Sequence, residues 1–306
     1  MNTPLFGLNI DPASAKLQTA LQLASMADQS AVDLITIQDH PYNPDFLDTW
    51  TLLTALAART QRVQLMTNVL NSPLRPPAVF AKMAATLDVI SAGRLQLGIG
   101  AGGYTEGMQA WGGVVGASAG DRFAAFTEYI DILQGMLFGA GRPFSYSGRF
   151  YQLQDVVNGP EPVHRIPIWI GAGRARMLRF AGARGDGWLI GTTYILPEGL
   201  DEVNQYLDEG ARQAGRNPEA VRRGYNLFGV IQTGPADRFR FNRPGLIVGS
   251  AEQWVETMAH YHQRYRHDTF IFWPVAGNPQ EQAEVFLNQV LPQARQQIQT
   301  EMAEAS

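Results

Sequence analysis

The chain has 306 residues, 45% of them hydrophobic and 17% charged, with a formal net charge of −4 and no cysteine. This length accommodates two ordinary domains or one α/β barrel, and the slightly acidic balance disfavours a nucleic-acid backbone or an anionic membrane as the main partner. With those partners disfavoured, we expect a protein that acts on a small molecule. The missing cysteines exclude disulfides, thiolate nucleophiles and cysteine metal sites.

The first residues, MNTPLFGLNIDP, show no basic segment followed by a long apolar one, and no later apolar run is long enough to span a bilayer. We therefore expect a cytoplasmic protein. Short β-rich runs then recur along the chain: LFGLNI, LITIQ, VQLMTNVL, RLQLGIG, IPIWIGAG, GWLIGT, YNLFGVIQ and DTFIFWPV.

Segments with helical apolar spacing separate most of these runs. LQTALQLASMADQS, for example, has apolar residues at the i, i+3, i+4 and i+7 positions that line one helix face. Eight alternations of strand and helix favour a closed parallel (β/α)₈ TIM barrel over an open sheet. The nearly continuous apolar strands agree, because parallel strands are covered on both faces.

Three stretches, 101–120, 139–166 and 233–249, depart from the alternation and are rich in glycine or proline. We interpret them as lids or insertions in the loops. Since none has the composition of a flexible linker, we expect a single domain over residues 1–306.

Polar side chains follow several of the predicted strands, where the chemistry of a barrel is assembled. The second strand runs into Gln38, Asp39 and His40. For an isolated pair, turn capping by Asp39 and a backbone hydrogen bond made by His40 are the favoured explanation. Further polar residues at equivalent exits favour a polar rim around a cavity: Asn9, Asp11, Asn68, Asn71 and Tyr104.

Two glycine loops could approach a phosphate. GIGAGG has the G-x-G-x-x-G spacing of dinucleotide-binding folds, but no helix follows at once, so we set that interpretation aside. Gly171 and Gly173 instead precede a predicted helix near Ala175, where backbone amides and Arg174 favour an anion. Tight packing of a turn is the alternative.

Other enzyme classes are poorly supported. The two lysines, Lys16 and Lys82, fall in predicted helices, which disfavours a Schiff-base aldolase. His260 and His262 lie two residues apart on a probable helix, so we interpret them as surface residues and predict no metal site.

The stretches IQDHPYNPDFLDTWTLLTALAART, LMTNVLNSPLRPPAVFAKMAATLDVISAGRLQLGIGAGG and IWIGAGRARMLRFAGARGDGWL carry a resemblance. They resemble, in order over nearly the whole chain, the bacterial-luciferase-like superfamily of flavin- and coenzyme F-420-dependent oxidoreductases. The resemblance implies a barrel with the isoalloxazine or deazaflavin ring across its carboxyl-terminal mouth, and commonly a homodimer.

The resemblance also implies roles for particular residues. Asp39 and His40 match the Asp-His pair of deazaflavin-dependent members, where the histidine lies near the hydride-transfer position. Asn68 and Val69 match the site where the family often has a non-prolyl cis peptide behind the ring. The remaining matches concern the phosphate loop (Gly171, Ala172, Gly173, Arg174), the ring border (Gly100, Tyr104) and the substrate side (Glu106). Apart from the resemblance, Trp111 and Trp273 lie near predicted strand exits or lids and are candidate substrate walls, with core packing as the alternative.

One departure concerns the sugar-phosphate dehydrogenases of the family, which carry a glutamate where this chain has Gly103. The resemblance therefore favours hydride transfer between reduced coenzyme F-420 and another small organic substrate. A reduced-FMN-dependent monooxygenase is the alternative, and a non-catalytic flavin-binding protein is the alternative outside enzymes.

Overall fold

The computed structural model describes residues 2–234, 241 and 243–304, and all structural statements below concern these residues. Their strands, in chain order, are β1 Leu5–Asn9, β2 Leu34–Ile37, β3 Gln64–Thr67, β4 Leu70–Asn71, β5 Leu95–Gly100, β6 Pro143–Ser147, β7 Gln152–Val157, β8 Ile168–Gly171, β9 Gly187–Gly191, β10 Arg222–Ile231, β11 Ile247–Gly249 and β12 Thr269–Pro274.

Eight of these strands close a parallel barrel in the order β1, β2, β3, β5, β8, β9, β10 and β12, with β12 pairing back to β1. All eight apolar runs of the sequence form these strands. The predicted (β/α)₈ barrel is therefore confirmed.

Helices surround the barrel and cover the outer faces of its strands. The fifth helix begins at Ala119, where Ser118 and Asp121 form a capping box. The helices are α1 Leu17–Gln29, α2 Thr49–Ala57, α3 Pro77–Ile90, α4 Thr105–Ala110, α5 Ala119–Phe138, α6 Ala175–Arg184, α7 Leu200–Gln213, α8 Ala251–Tyr265, α9 Pro279–Val285 and α10 Leu291–Glu304, with a π-helical segment at Phe286–Val290 and 3₁₀ turns at Ser14–Lys16, Ser72–Leu74, Pro197–Gly199 and Pro218–Ala220.

Trp169 fills the lower part of the barrel interior and is 1% exposed. Its ring lies against Gly187, where an added Cβ would come within 2.2 Å of the indole. A small residue on the neighbouring strand thus makes room for a large one. The barrel is filled below its mouth, which leaves the carboxyl-terminal side for a ligand.

The three predicted insertions contain more structure than their composition suggests. Residues 101–120 include α4 and the start of α5, and residues 139–166 include the antiparallel hairpin β6–β7. In the segment 233–249, β11 pairs with β10, whereas residues 235–240 and 242 lie outside the described residues. Among the helices that are described, none combines the length and the apolar character that a membrane span requires.

Candidate active site

A bulge behind β3 projects into the barrel mouth. The Asn68–Val69 peptide bond is cis, as the family resemblance implies. The Val69 side chain faces Gly100 on β5 and Gly171 on β8, where an added Cβ would lie 2.8 Å and 2.9 Å from Val69 Cγ2. A larger residue at either position would clash with Val69, so glycine at both positions makes room for the bulge.

Buried amides support this bulge from below. Asn68 and Asn226 exchange two hydrogen bonds across the barrel, at 2.8 Å and 3.0 Å. Asn68 Nδ2 also donates to Thr36 Oγ1, which donates to Asn9 Oδ1, and Asn9 Nδ2 donates to Gln38 Oε1. The mouth therefore has a polar floor whose side chains hold one another in fixed orientations.

Asp39 is 1% exposed and its carboxylate is fully engaged with the protein. Arg75 Nη1 and Nη2 donate to its two oxygens at 2.6 Å and 3.2 Å, and the Asn71 backbone N–H donates at 2.8 Å. Arg75 also bridges to Asp48, which caps α2. Although burial acts against the guanidinium charge, Asp39 and Asp48 hold the pKa of Arg75 above its ordinary value.

His40 follows Asp39 at the exit of β2, and its side chain is exposed at the mouth. A hydrogen bond of 2.8 Å joins its Nδ1 to Tyr42 Oη. The partial burial of the ring lowers the pKa of His40, while the Asp39 carboxylate acts in the opposite direction. His40 is therefore a neutral imidazole at pH 7, and this form can accept a proton.

Tyr104 borders the same opening and is 52% exposed. Its ring meets that of Tyr42 edge to face at 5.1 Å. Both tyrosines cover Gly107 of α4, where an added Cβ would lie 2.4 Å from the Tyr104 ring. Aromatic side chains thus rim the mouth on the side of β2 and β5.

The predicted phosphate loop divides into two parts. Gly171 ends β8 against the bulge, and Ala172 is buried, with its carbonyl accepting from Trp188 Nε1. Gly173 and Arg174 are exposed at the start of α6, and the nearest atom to an added Cβ on Gly173 would be 3.9 Å away. Arg174 is the N-cap and makes no side-chain capping bond, so the first N–H groups of a ten-residue helix are open to an anion.

The residues predicted for the substrate side are not all together. Glu106 is exposed in the first turn of α4, and Trp111 ends that helix with 59% of its surface exposed. Trp273, at the end of β12, lines a cavity of about 350 Å³ beside the mouth. Arg243, from the predicted lid 233–249, lines another cavity of about 470 Å³, together with Tyr194.

The sequence interpretation missed two contributors to the site and misjudged one histidine. Arg75 and Asn226 reach their partners from distant parts of the chain, although a lone asparagine in the apolar strand YNLFGVIQ was a usable signal. His262 is buried, not a surface residue, and its Nδ1 bonds the His267 carbonyl. Within the described chain, no three acidic or histidine side chains are grouped so that they could hold a metal ion.

Comparison with known proteins decides the family. The model of the luciferase-like monooxygenase family matches residues 5–240. The chain belongs to this family. An F420-dependent glucose-6-phosphate dehydrogenase from Microbacterium testaceum is 31% identical over 232 residues, covering 72% of this chain and 67% of the relative.

Solved structures of this luciferase-like family share the fold. An F420-dependent secondary alcohol dehydrogenase in complex with an F420-acetone adduct superposes with a TM-score of 0.84 at 16% identity, over 96% of this chain and 99% of the other. The monooxygenase RslO1 from Streptomyces bottropensis superposes with a TM-score of 0.78 at 20% identity, over 94% and 99%. Both F420-dependent dehydrogenases and monooxygenases are thus built on this barrel.

Proposed function

We propose that this luciferase-like chain is an F420-dependent oxidoreductase that transfers hydride between the deazaflavin and a small organic substrate. The observation that carries the proposal is the Val69 bulge, set into two glycine positions beside His40. The relatives named as F420-dependent support this choice of cofactor. Asp39 acts indirectly, because its carboxylate is taken up by Arg75 and Asn71.

The residues at the mouth fit a flat cofactor with a phosphate-bearing tail. Val69 offers an apolar surface to the ring, with Tyr104 and Gly100 at its border. The exposed turn at Gly173 and Arg174 offers unpaired backbone N–H groups and a positive charge to the phosphate. When bound, the deazaflavin supplies the hydride chemistry, and the protein supplies position and proton handling.

His40 holds or delivers the proton that accompanies the hydride. When the substrate is oxidised, the neutral imidazole accepts the proton, and when the substrate is reduced, the protonated ring delivers it. Tyr42 orients the ring through Nδ1. Asp39 is a positioning residue that fixes the loop on which His40 stands. Glu106 and Trp111 contact the substrate from α4, and Trp273 lines a separate cavity beside the mouth.

The first experiment is a parallel anaerobic titration of the cofactor-free chain with coenzyme F-420 and with FMN, oxidised and reduced. We expect selective binding of F-420. Selective binding of reduced FMN would instead favour the monooxygenase chemistry for which the family model is named. Tight binding without redox exchange with any donor or acceptor would favour the non-catalytic flavin-binding protein.

A pair of variants tests the assignment of roles. His40→Ala should slow reoxidation of reduced F-420 by a panel of small ketones, aldehydes and activated alkenes about 10²-fold to 10⁴-fold, while F-420 affinity stays within about threefold. Gly173→Phe should mainly weaken binding. His260→Ala, on the exposed face of α8, is the matched control. Equal turnover in His40→Ala and the unchanged chain would remove His40 from the mechanism.

We also propose a homodimer formed through α3. Three apolar side chains of this helix are exposed: Val79 at 55%, Val89 at 44% and Ile90 at 51%. Ile90→Glu should convert the dimer to a monomer in sedimentation velocity, since it places a charge in the proposed apolar interface. Cytoplasmic location and a single domain over residues 1–306 stay predictions.

A further inference from the structure

The cavity beside Trp273 has the properties of a binding site. Its volume of about 350 Å³ lies between α1 and the carboxyl ends of β1, β2 and β12. Phe46 and Trp273 give it aromatic walls, and the Phe46 ring also lies 6.3 Å from the ring of His40. A molecule in this cavity therefore shares a wall with the histidine at the mouth.

Gln38 provides a directional hydrogen-bonding group in this cavity. It is 8% exposed, and its Oε1 accepts from Asn9 Nδ2 at 3.0 Å. The hydrogen bonds from Asn68 through Thr36 and Asn9 run in one direction, and the Gln38 amide continues this series with its oxygen towards Asn9. Its Nε2 group has no hydrogen-bond partner among the described residues, and Gln38 lines the cavity, so this group is a donor available to a ligand there.

The rim of the cavity carries no net charge. Lys16 Nζ lies 2.7 Å from Asp11 Oδ2, and both side chains are about half exposed. The other oxygen of Asp11 accepts from the Ala13 N–H. Because the ion pair neutralises the only lysine near the mouth, the cavity suits an uncharged ligand better than a phosphorylated one.

We propose that this cavity binds the non-reacting part of an uncharged, planar organic substrate, through an oxygen that accepts a hydrogen bond from Gln38 Nε2. The rings of Phe46 and Trp273 contact the faces of the molecule, and its reacting end extends towards His40. This assignment rests on the proposed function, since it names the substrate class of the same mouth.

Two bicyclic probes of similar size separate the hydrogen bond from the apolar contact. Coumarin has a carbonyl acceptor and naphthalene has none, and calorimetry on the cofactor-free chain measures both affinities. Gln38→Glu keeps the oxygen that accepts the hydrogen bond from Asn9 but replaces the Nε2 donor with a second carboxylate oxygen. It should weaken coumarin binding about tenfold, as expected for one lost hydrogen bond, and change naphthalene binding less than about twofold.

Two further variants complete the experiment. Trp273→Ala should weaken binding of both probes, whereas Gln213→Glu, an exposed position on α7, should change neither. Unchanged naphthalene binding in Gln38→Glu shows that the cavity is intact. Equal losses for both probes, or no preference of the unchanged chain for coumarin, would overturn the assignment.

The same preparations separate this inference from the proposed function, because coumarin binding requires no cofactor. A chain that shows the Gln38-dependent preference for coumarin but binds neither F-420 nor FMN would keep the substrate site and lose the proposed redox function. A chain that binds F-420 without this preference would keep the proposed redox function and lose the substrate site.

Discussion

Replacing Gly171 by alanine tests whether the Val69 bulge depends on its glycine neighbours. The added Cβ would lie 2.9 Å from Val69 Cγ2 and 3.3 Å from Cγ1. An ordinary contact begins near 3.4 Å, so the bulge must move by about half an ångström, and a β-branched side chain cannot turn away easily. Overpacking of this kind costs about 1–3 kcal/mol, and we expect about 2 kcal/mol of unfolding free energy to be lost.

Gly173→Ala is the matched control on the same loop, because its Cβ would have only Ile190 Cδ1 at 3.9 Å. We expect a change within about 0.5 kcal/mol. Val69→Ala supplies the rescue, since it removes both clashing methyl groups and leaves Val69 Cβ at 3.6 Å from the new methyl. The double variant Val69→Ala with Gly171→Ala should therefore be less destabilised than the sum of its single changes.

Urea unfolding of the four proteins gives the required free energies, and F-420 titration gives the functional consequence. Gly171→Ala should weaken F-420 binding, whereas Gly173→Ala should retain it. A cost for Gly171→Ala no greater than that for Gly173→Ala would refute the steric role of Gly171. A penalty that persists in the double variant would show that Val69 is not its source.

Two further predictions concern buried charge. Arg75→Met should lower the free energy of unfolding, measured in urea, by about 3–5 kcal/mol, because it leaves Asp39 buried without its partner. Adding Asp39→Asn should recover part of this loss. Additive losses for the two substitutions would argue against the ion pair. Burial lowers the pKa of His267 to about 3, so below pH 6.5 the unfolded chain binds a proton that the folded chain does not, and stability falls as the pH decreases. Between pH 6.5 and pH 5 the loss should be about 1.6 kcal/mol, and it should be absent from His267→Phe in the same titration. An equal loss in both proteins would exclude His267 as the cause.

The barrel could be predicted because its strands are local signals. Runs such as LITIQ and RLQLGIG are apolar throughout, and parallel strands covered on both faces require this. The sequence pattern predicts an irregular insertion where the hairpin β6–β7 lies, because its strands are largely exposed and lack an apolar run. Its stability comes from contacts with α5, among them Phe144 against Gly135.

The site was less predictable, because its contacts join distant parts of the chain. Asp39 and His40 are adjacent in sequence, yet the fold buries one carboxylate under Arg75 and leaves the neighbouring imidazole at the mouth. No residue within LITIQDHP indicates that an arginine 36 residues later pairs with Asp39. The sequence pattern places Gly171 in a predicted phosphate turn, whereas in the structure this residue packs against the side chain of Val69.

The series of hydrogen bonds that joins Asn226, Asn68, Thr36, Asn9 and Gln38 runs in one direction from Asn68 onwards and has an evolutionary consequence. An exchange that reverses one donor leaves the next acceptor without a proton, so a single substitution within the series is penalised even where the side-chain volume is kept. Related sequences that depart at one of these positions should therefore carry compensating changes at the adjoining ones, and the five positions should covary as a group.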